Sequence, residues 1–221
     1  MFIRHVKNKK TCLDVLHSRT MRGGKKGRDL SVYAKTKRIK NVQPIRRLDQ
    51  IEAMKKALMR YCSYRDYIMF TIGINIGLRI GDLLQLRVKD VLDGTHIVIV
   101  EQKTEKTKRF LINPQLRKEI KKYVKKEKLT KDDFLFPSRK GNGPITRVQA
   151  YRVLNKAAEM ADVPDVGTHT LRKTFGYLHY QKYKDIALLQ QILNHSNQKD
   201  TMIYIGLTQD LMDETLMDFY F

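Results

Sequence analysis

Four residues whose chemistry suits a phosphodiester lie in the stretch from Gly167 to Leu207: His169, Arg172, His195 and Tyr204. His169 and Arg172 are three apart, a spacing that puts both side chains on one face of a helix and can aim an imidazole and a guanidinium at one phosphate. Far upstream, Arg79 follows Gly77 and Leu78 in the apolar run GLRIGDLLQLRVKDV. Phosphodiester transfer needs a nucleophile, charge stabilisation for the non-bridging oxygens and a proton for the leaving oxygen. The sequence offers no clustered carboxylates to supply these through a metal, so neither a metal nor another cofactor is expected. Arg79 and Arg172 can form the charge clamp, because a guanidinium presents planar, bidentate donors and keeps its charge, which a lysine does less well. Tyr204 is the candidate nucleophile, and a phenol of ordinary pKa near 10 needs nearby positive charge or a base to act at neutral pH. The blander reading makes the arginines surface ion pairs and the histidines structural. It is adopted for His5, His17, His96 and His179, while Tyr177, Tyr180, Tyr183 and Tyr220 are read as packing or surface residues.

The elements that must position these groups follow from periodicity. Asp49 is expected to cap a helix carrying Ile51, Met54, Ala57, Leu58 and Tyr61, followed by a second apolar helix from Tyr64 to about Ile76 that Gly77 ends. A helix from Asp82 to Leu86 then stands behind Arg79. THIVIVEQKTEKTKRFLIN reads as a hairpin with strands at Ile97 to Val100 and Phe110 to Ile112, turning around Thr104 to Thr107 with Lys103 and Lys106 at its tip. Pro114 to Lys128 is a lysine-rich helix with Leu116, Ile120 and Val124 on one stripe, and Thr146 can cap a helix from Arg147 to Met160. Pro164 and Gly167 precede the predominantly helical Gly167–Leu207 stretch. The fold class is therefore mainly α with a small antiparallel β-hairpin, an α+β arrangement.

Charge narrows the partner. Forty-four Lys and Arg against 23 Asp and Glu give +21 and a pI near 10, the balance of a protein that displaces counterions from a polyanion. Residues 1–47 alone carry 15 basic side chains against Asp14 and Asp29. Poor apolar periodicity and Gly23, Gly24 and Gly27 mark this segment as a basic, flexible arm, with the folded domain at 48–206. Residues 207–221 alternate Leu211, Met212, Leu216, Met217 and Phe219 with Asp210, Asp213, Glu214 and Asp218, an amphipathic tail. No apolar run reaches about 18 residues and the N-terminus lacks a signal-peptide core, so a cytoplasmic protein without a membrane partner is expected. Cys12 and Cys62 read as reduced thiols.

Taken in order, Arg79 after Gly-Leu, Asp82 three residues on, a lysine at a hairpin tip, His169-x-x-Arg172, LNHS ending in His195 and Ser196, and Tyr204 nine residues past His195 resemble the tyrosine recombinase (phage integrase) family over about residues 45 to 221. The resemblance implies the family's catalytic-domain fold and a bacterial or phage-encoded, site-specific DNA recombinase of a mobile element or invertible switch. It implies that Tyr204 forms a covalent 3′-phosphotyrosyl intermediate, with Arg79, Arg172, His169, His195 and Lys103 as its catalytic partners. His169 matches the family's base or hydrogen-bonding histidine, His195 the donor to a non-bridging oxygen, and Lys103 the proton donor to the 5′ oxygen. Lys106 and Lys108 stand close enough to Lys103 that turn register leaves that last choice open. Asp82 is expected to orient the arginine or the helix packing behind it. Lys106, Lys108, Lys173, Arg46 and Arg47 are the expected contacts to double-stranded DNA. The partners implied are that DNA, other protomers in a synaptic complex and accessory DNA-bending proteins; the tail either docks on a neighbouring protomer or packs in cis.

Three departures stand out. Asn194 occupies the usual glycine of LNHS, which positive φ tolerates in asparagine. Lys173 replaces a histidine that often follows the second arginine. The basic arm is too short to be the helical core-binding domain that family members carry ahead of the catalytic one. The competing functions are a DNA-binding regulator on the same fold, which has no need of a phenol at this spacing, and a nicking and relaxing enzyme, disfavoured by the chain's small size.

Overall fold

The computed structural model of the chain describes residues 42–100 and 107–207, together with 213–214, 216–217 and 219–220 of the tail. Residues 1–41 of the expected arm, the hairpin turn with Lys103 and Lys106, Cys12 and the remaining tail positions lie outside the described residues. Among those described, nine helices and one two-stranded antiparallel sheet make the mainly helical fold expected.

The centre of the domain is α2 (Tyr64–Ile76), preceded by α1 (Leu48–Tyr61). α2 is apolar on nearly every side, and Ile68, Met69, Phe70 and Ile72 are fully buried, the pattern of a helix enclosed by others. α1 buries Ile51, Met54, Ala57 and Leu58. Asp49 does not cap it, contrary to expectation: the N-cap position is Arg47 with no side-chain cap, and Asp49 sits one residue inside the first turn on a solvent-exposed ion pair with Arg47. There it still faces the positive end of the helix dipole.

After α2 the chain turns through Gly77, in the left-handed conformation at φ 74°. The expected helix 82–86 begins and ends earlier, as α3 (Ile80–Leu84), because Arg79 is extended and occupies its N-cap position. A further helix, α4 (Val88–Leu92), follows; its signal is the short local bond in which the Arg87 N–H donates to Asp90, too brief to register as periodicity. The hairpin is β1 (His96–Val100) against β2 (Thr107–Leu111), with Ile97 facing Phe110. β2 thus starts at Thr107, which was expected in the turn.

α5 (Pro114–Glu127) is capped by Asn113 and buries Leu116, Ile120 and Tyr123, whose hydroxyl donates to the Leu135 carbonyl at 2.8 Å. Tyr123 thus takes the inner place expected for the half-buried Val124. α6 (Arg147–Met160) has the expected Thr146 cap, reciprocated by Gln149. The Gly167–Leu207 stretch resolves into three helices: α7 (Thr170–Tyr183), α8 (Ile186–Leu193) and α9 (Gln198–Ile205). Asp185 and Asn197 cap the latter two, while Lys184 and Asn194 turn the chain at positive φ. α7 lies along α2, where Gly73 leaves room for Leu171: a Cβ at Gly73 would stand 2.6 Å from Leu171 Cδ1. α8 and α9 share a smaller apolar cluster of Leu189, Leu193, Ile205 and Leu207, separate from the main core.

Candidate active site

The first arginine is placed by the end of α2. Gly77 turns the chain so that Arg79 emerges half-buried ahead of α3, with Asp82 buried three residues on. A Cβ at Gly77 would stand 2.3 Å from Phe175 Cδ1, so the same glycine also lets α7 close on this turn. The second arginine is placed by α7. Arg172 is 3% exposed, and its guanidinium ties the site together: Nη1 donates to the Gly77 carbonyl at 2.6 Å and Nη2 to the Leu193 carbonyl at 2.5 Å. One side chain therefore bridges the C-terminal ends of α2 and α8. His169 is the N-cap residue of α7, one turn before Arg172 and exposed.

The remaining groups come from the turn between α8 and α9. Asn194 ends α8 at φ 52° and ψ 50°, the left-handed conformation expected of it. That turn presents His195, whose Nδ1 lies 3.1 Å from Thr201 Oγ1. Thr201 is fully buried and its hydroxyl is 3.1 Å from the Asn197 carbonyl. The buried Thr201 hydroxyl thus holds the His195 ring through Nδ1. Tyr204 stands on α9 with its ring edge-on to His195, centroids 4.9 Å apart.

Arg79, His169, Arg172, Asn194, His195, Ser196, Asp200 and Tyr204 line one cleft of about 450 Å³. A larger groove, of about 750 Å³ between the hairpin and α7–α8, holds none of these residues. Burial pushes the Tyr204 phenol up from its ordinary value, while Arg172 and Arg79 pull it back, Arg172 also through a side-chain hydrogen bond. His195 is lowered, first by burial and then by Arg172, Arg79 and Lys108, against the opposing pull of Asp200. The cleft thus sets the Arg79 and Arg172 guanidiniums beside the His169 and His195 imidazoles and the Tyr204 phenol, with the Asp200 carboxylate also in its lining. This suits a site that binds a phosphate and stabilises extra negative charge as it develops there.

The other expected residues are placed as follows. Lys108, on β2, donates to the Gln191 and Ile192 carbonyls at 3.1 and 2.8 Å, pinning the sheet to the end of α8. Lys173 donates to the Val42 carbonyl at 2.7 Å, and its ammonium lies 5.3 Å from the Tyr204 ring centroid. Arg46 donates to the Gly206 carbonyl at 2.9 Å, and Arg47 holds Asp49. Asp200 was not anticipated. Its carboxylate accepts from Asn197 Nδ2 at 2.9 Å and Ser196 Oγ at 3.2 Å, and its signal in sequence is the N-cap pattern Asn197-x-x-Asp200.

The lowered histidines make stability depend on pH. The folded state resists protonating His195 and His179, both shifted down mainly by burial. Below their unfolded pKa near 6.5 the unfolded chain binds protons that the folded one refuses. Their stabilising contribution is present above about pH 6.5 and is lost as pH falls towards the folded values. The melting temperature is expected to drop between pH 7.5 and 5, and the double variant His179→Gln, His195→Gln to flatten that slope in calorimetry.

Comparison with known proteins places the chain in a family. Residues 46–210 match the model of the phage integrase family. The chain is 48% identical over 169 residues to the probable integrase/recombinase YoeC of Bacillus subtilis, covering 76% of this chain and 92% of that protein. It is 26% identical over 164 residues to the tyrosine recombinase XerH of Campylobacter jejuni, covering 72% of this chain but only 46% of XerH. Among solved structures, XerA recombinase superposes with a TM-score of 0.66 at 24% identity, over 81% of this chain and 65% of that one. XerH bound to palindromic difH substrate, in a post-cleavage complex, gives 0.64 at 23%, over 80% and 53%; both likenesses are of fold. The chain belongs to the phage integrase family and is a tyrosine recombinase/integrase-type enzyme. It spans nearly all of YoeC and about half the length of XerH.

Proposed function

We propose that this chain is a site-specific DNA recombinase that cuts and rejoins strands through Tyr204, in the service of a mobile element or an invertible switch. The observation that carries this reading is the convergence of Arg79, His169, Arg172, His195 and Tyr204 on one cleft from four separate parts of the chain. The phenol oxygen of Tyr204 attacks the phosphorus and gives up its proton to a base, a role that falls to His169. The bond between phosphorus and the 5′ oxygen breaks, and that oxygen takes a proton from the hairpin lysine, assigned to Lys103. Arg79, Arg172 and His195 stabilise the non-bridging oxygens as charge accumulates, with Asp82 holding the arginine from behind. A new 5′-hydroxyl then attacks the 3′-phosphotyrosyl link and returns the phenol. The energy of the broken bond is held in that link, so the scheme needs no nucleotide cofactor.

Two expectations about partners belong to the same reading. The tail docks on a neighbouring protomer, supported by the exposed apolar side chains of Leu216, Met217 and Phe219. The basic segment 1–41 grips DNA, as its charge suggests. Deleting residues 1–40 is expected to weaken DNA binding and flatten its dependence on salt, since the slope counts the phosphates neutralised; a titration from 50 to 200 mM salt that gives the native slope would refute this. The recombinase reading itself is tested with nicked duplexes tiled across the genome that encodes the protein. A detergent-resistant adduct joined to the 3′ side of the cut, with a free 5′-hydroxyl, is the expected product. Tight binding without any adduct would favour a DNA-binding regulator.

A further inference from the structure

Two cations that reach Tyr204 and its helix belong to contacts the recombination scheme leaves unused. Both involve the segment 42–47, which runs from the basic N-terminal sequence into the domain. This segment is fastened at several points. The Ile45 N–H donates to Thr174 Oγ1 at 2.8 Å in the buried interior, and the Gln43 N–H donates to the Asp165 carbonyl at 3.2 Å. Ile45 itself is 2% exposed. On this anchored segment Val42 offers its carbonyl to Lys173 Nζ at 2.7 Å, and Arg46 sends Nη2 to the Gly206 carbonyl at 2.9 Å.

What these contacts touch is the nucleophile's own support. α9 has only eight residues, too few to be stable alone in water, so its position is imposed by what packs on it. Gly206 is its C-cap, at φ 72°, two residues beyond Tyr204, and α9 carries no basic residue in its last turn. The C-terminal end of a helix is its negative pole and leaves carbonyls without intrahelical partners. Arg46 supplies from another part of the chain the charge and the donor that α9 lacks, and its guanidinium also lies 5.5 Å from the Tyr177 ring on α7. Lys173 acts on the ring itself: its half-buried ammonium stands 5.3 Å from the Tyr204 centroid, within cation–π range.

We propose that Arg46 and Lys173 are positioning residues for strand transfer, and that segment 42–47 is a strap holding α9 and the Tyr204 ring in register with Arg79 and Arg172. The proposal rests on the reading of Tyr204 as nucleophile. It gives Lys173, the residue that departs from the family pattern, work inside the protein. The competing role for both cations is direct contact with DNA phosphate, and the two roles predict different kinetics.

The test uses the full chain with Lys173→Met and Arg46→Met, and Lys173→Arg and Arg46→Lys as conservative variants. Single-turnover adduct formation is followed on a nicked duplex at saturating protein. Each methionine variant is expected to lower the saturated rate by about threefold to thirtyfold, the scale of a helix-end charge or a cation–π contact. The conservative variants should recover most of it. A loss confined to DNA affinity and its salt slope, with the saturated rate intact, would overturn the proposal in favour of phosphate contact. If the native protein forms no adduct, the recombinase reading fails, and the strap is judged without DNA. Hydrogen exchange of the amides at 203–206 should then quicken about fivefold to thirtyfold in Arg46→Met, with α2 amides unchanged as the control for folding. Native exchange rates there would overturn the strap.

Discussion

Tyr204→Phe is expected to abolish covalent attachment to DNA while leaving DNA affinity and melting temperature close to native. The substitution removes one oxygen and nothing of the ring, so the edge-on contact with His195 and the approach of Lys173 remain. Binding to a duplex is carried by many phosphate contacts, which a single phenol does not supply. Besides the hydrogen bond between Arg172 and the phenol, the loss is the atom proposed to attack phosphorus. The phenols at Tyr177 and Tyr180 pack around the α8–α9 cluster outside the cleft, and no substitute nucleophile is expected. Adduct assays on nicked duplex, run beside equilibrium binding, check both halves. An adduct persisting in the variant at a measurable rate would move the chemistry to another residue.

Arg172→Lys should be nearly as damaging, and for two separable reasons. In the reaction, a lysine offers a compact charge without the planar fork, and losing one well-placed donor to a developing oxyanion costs about 10²- to 10³-fold in rate. In the fold, the guanidinium joins the Gly77 and Leu193 carbonyls. One ammonium cannot hold the ends of α2 and α8 together as two nitrogens do, and a buried carbonyl left without a donor costs about 1–3 kcal/mol. A lower melting temperature is therefore expected together with the slower adduct formation. Native stability with native rate would show that Arg172 neither clamps phosphate nor bridges the helices.

Much of this arrangement was legible in the sequence because it rests on local signals. Gly77 before Leu78-Arg79, the Thr146 cap, the two apolar helices at the start of the domain and the β-branched run at Ile97 each declare themselves within a few residues. His169, Arg172, His195 and Tyr204 were legible as a chemical set, and the cleft does gather the described members with Arg79. Several features were not legible, for physical reasons. α4 is a single short turn, below the length at which periodicity speaks. The break into α7, α8 and α9 depends on Lys184 and Asn194 adopting positive φ, which lysine does not advertise. Lys173 bonds across 131 positions and Arg46 across 160, so a basic residue and a carbonyl that look unrelated in the chain become partners only after folding. Lys108 is a similar case: its strand position was near the expected one, but its grip on the end of α8 belongs to tertiary structure.

The departure from the usual glycine at Asn194 also has a clear outcome. Its backbone takes the left-handed turn that LNHS needs, and this turn sets His195 against Thr201 and opposite Tyr204. The geometry of the second half of the site thus rests on a turn, two short helices and their small apolar cluster, held against the first half by Arg172.

The most direct test is to trap the protein on nicked duplex, digest the adduct with protease and nuclease, and locate the nucleotide by peptide mass spectrometry. A residual 3′-phosphoryl nucleotide is expected on the peptide containing Tyr204, at the phenol oxygen. The same modification on any other residue, or attachment through a 5′-phosphate, would contradict it.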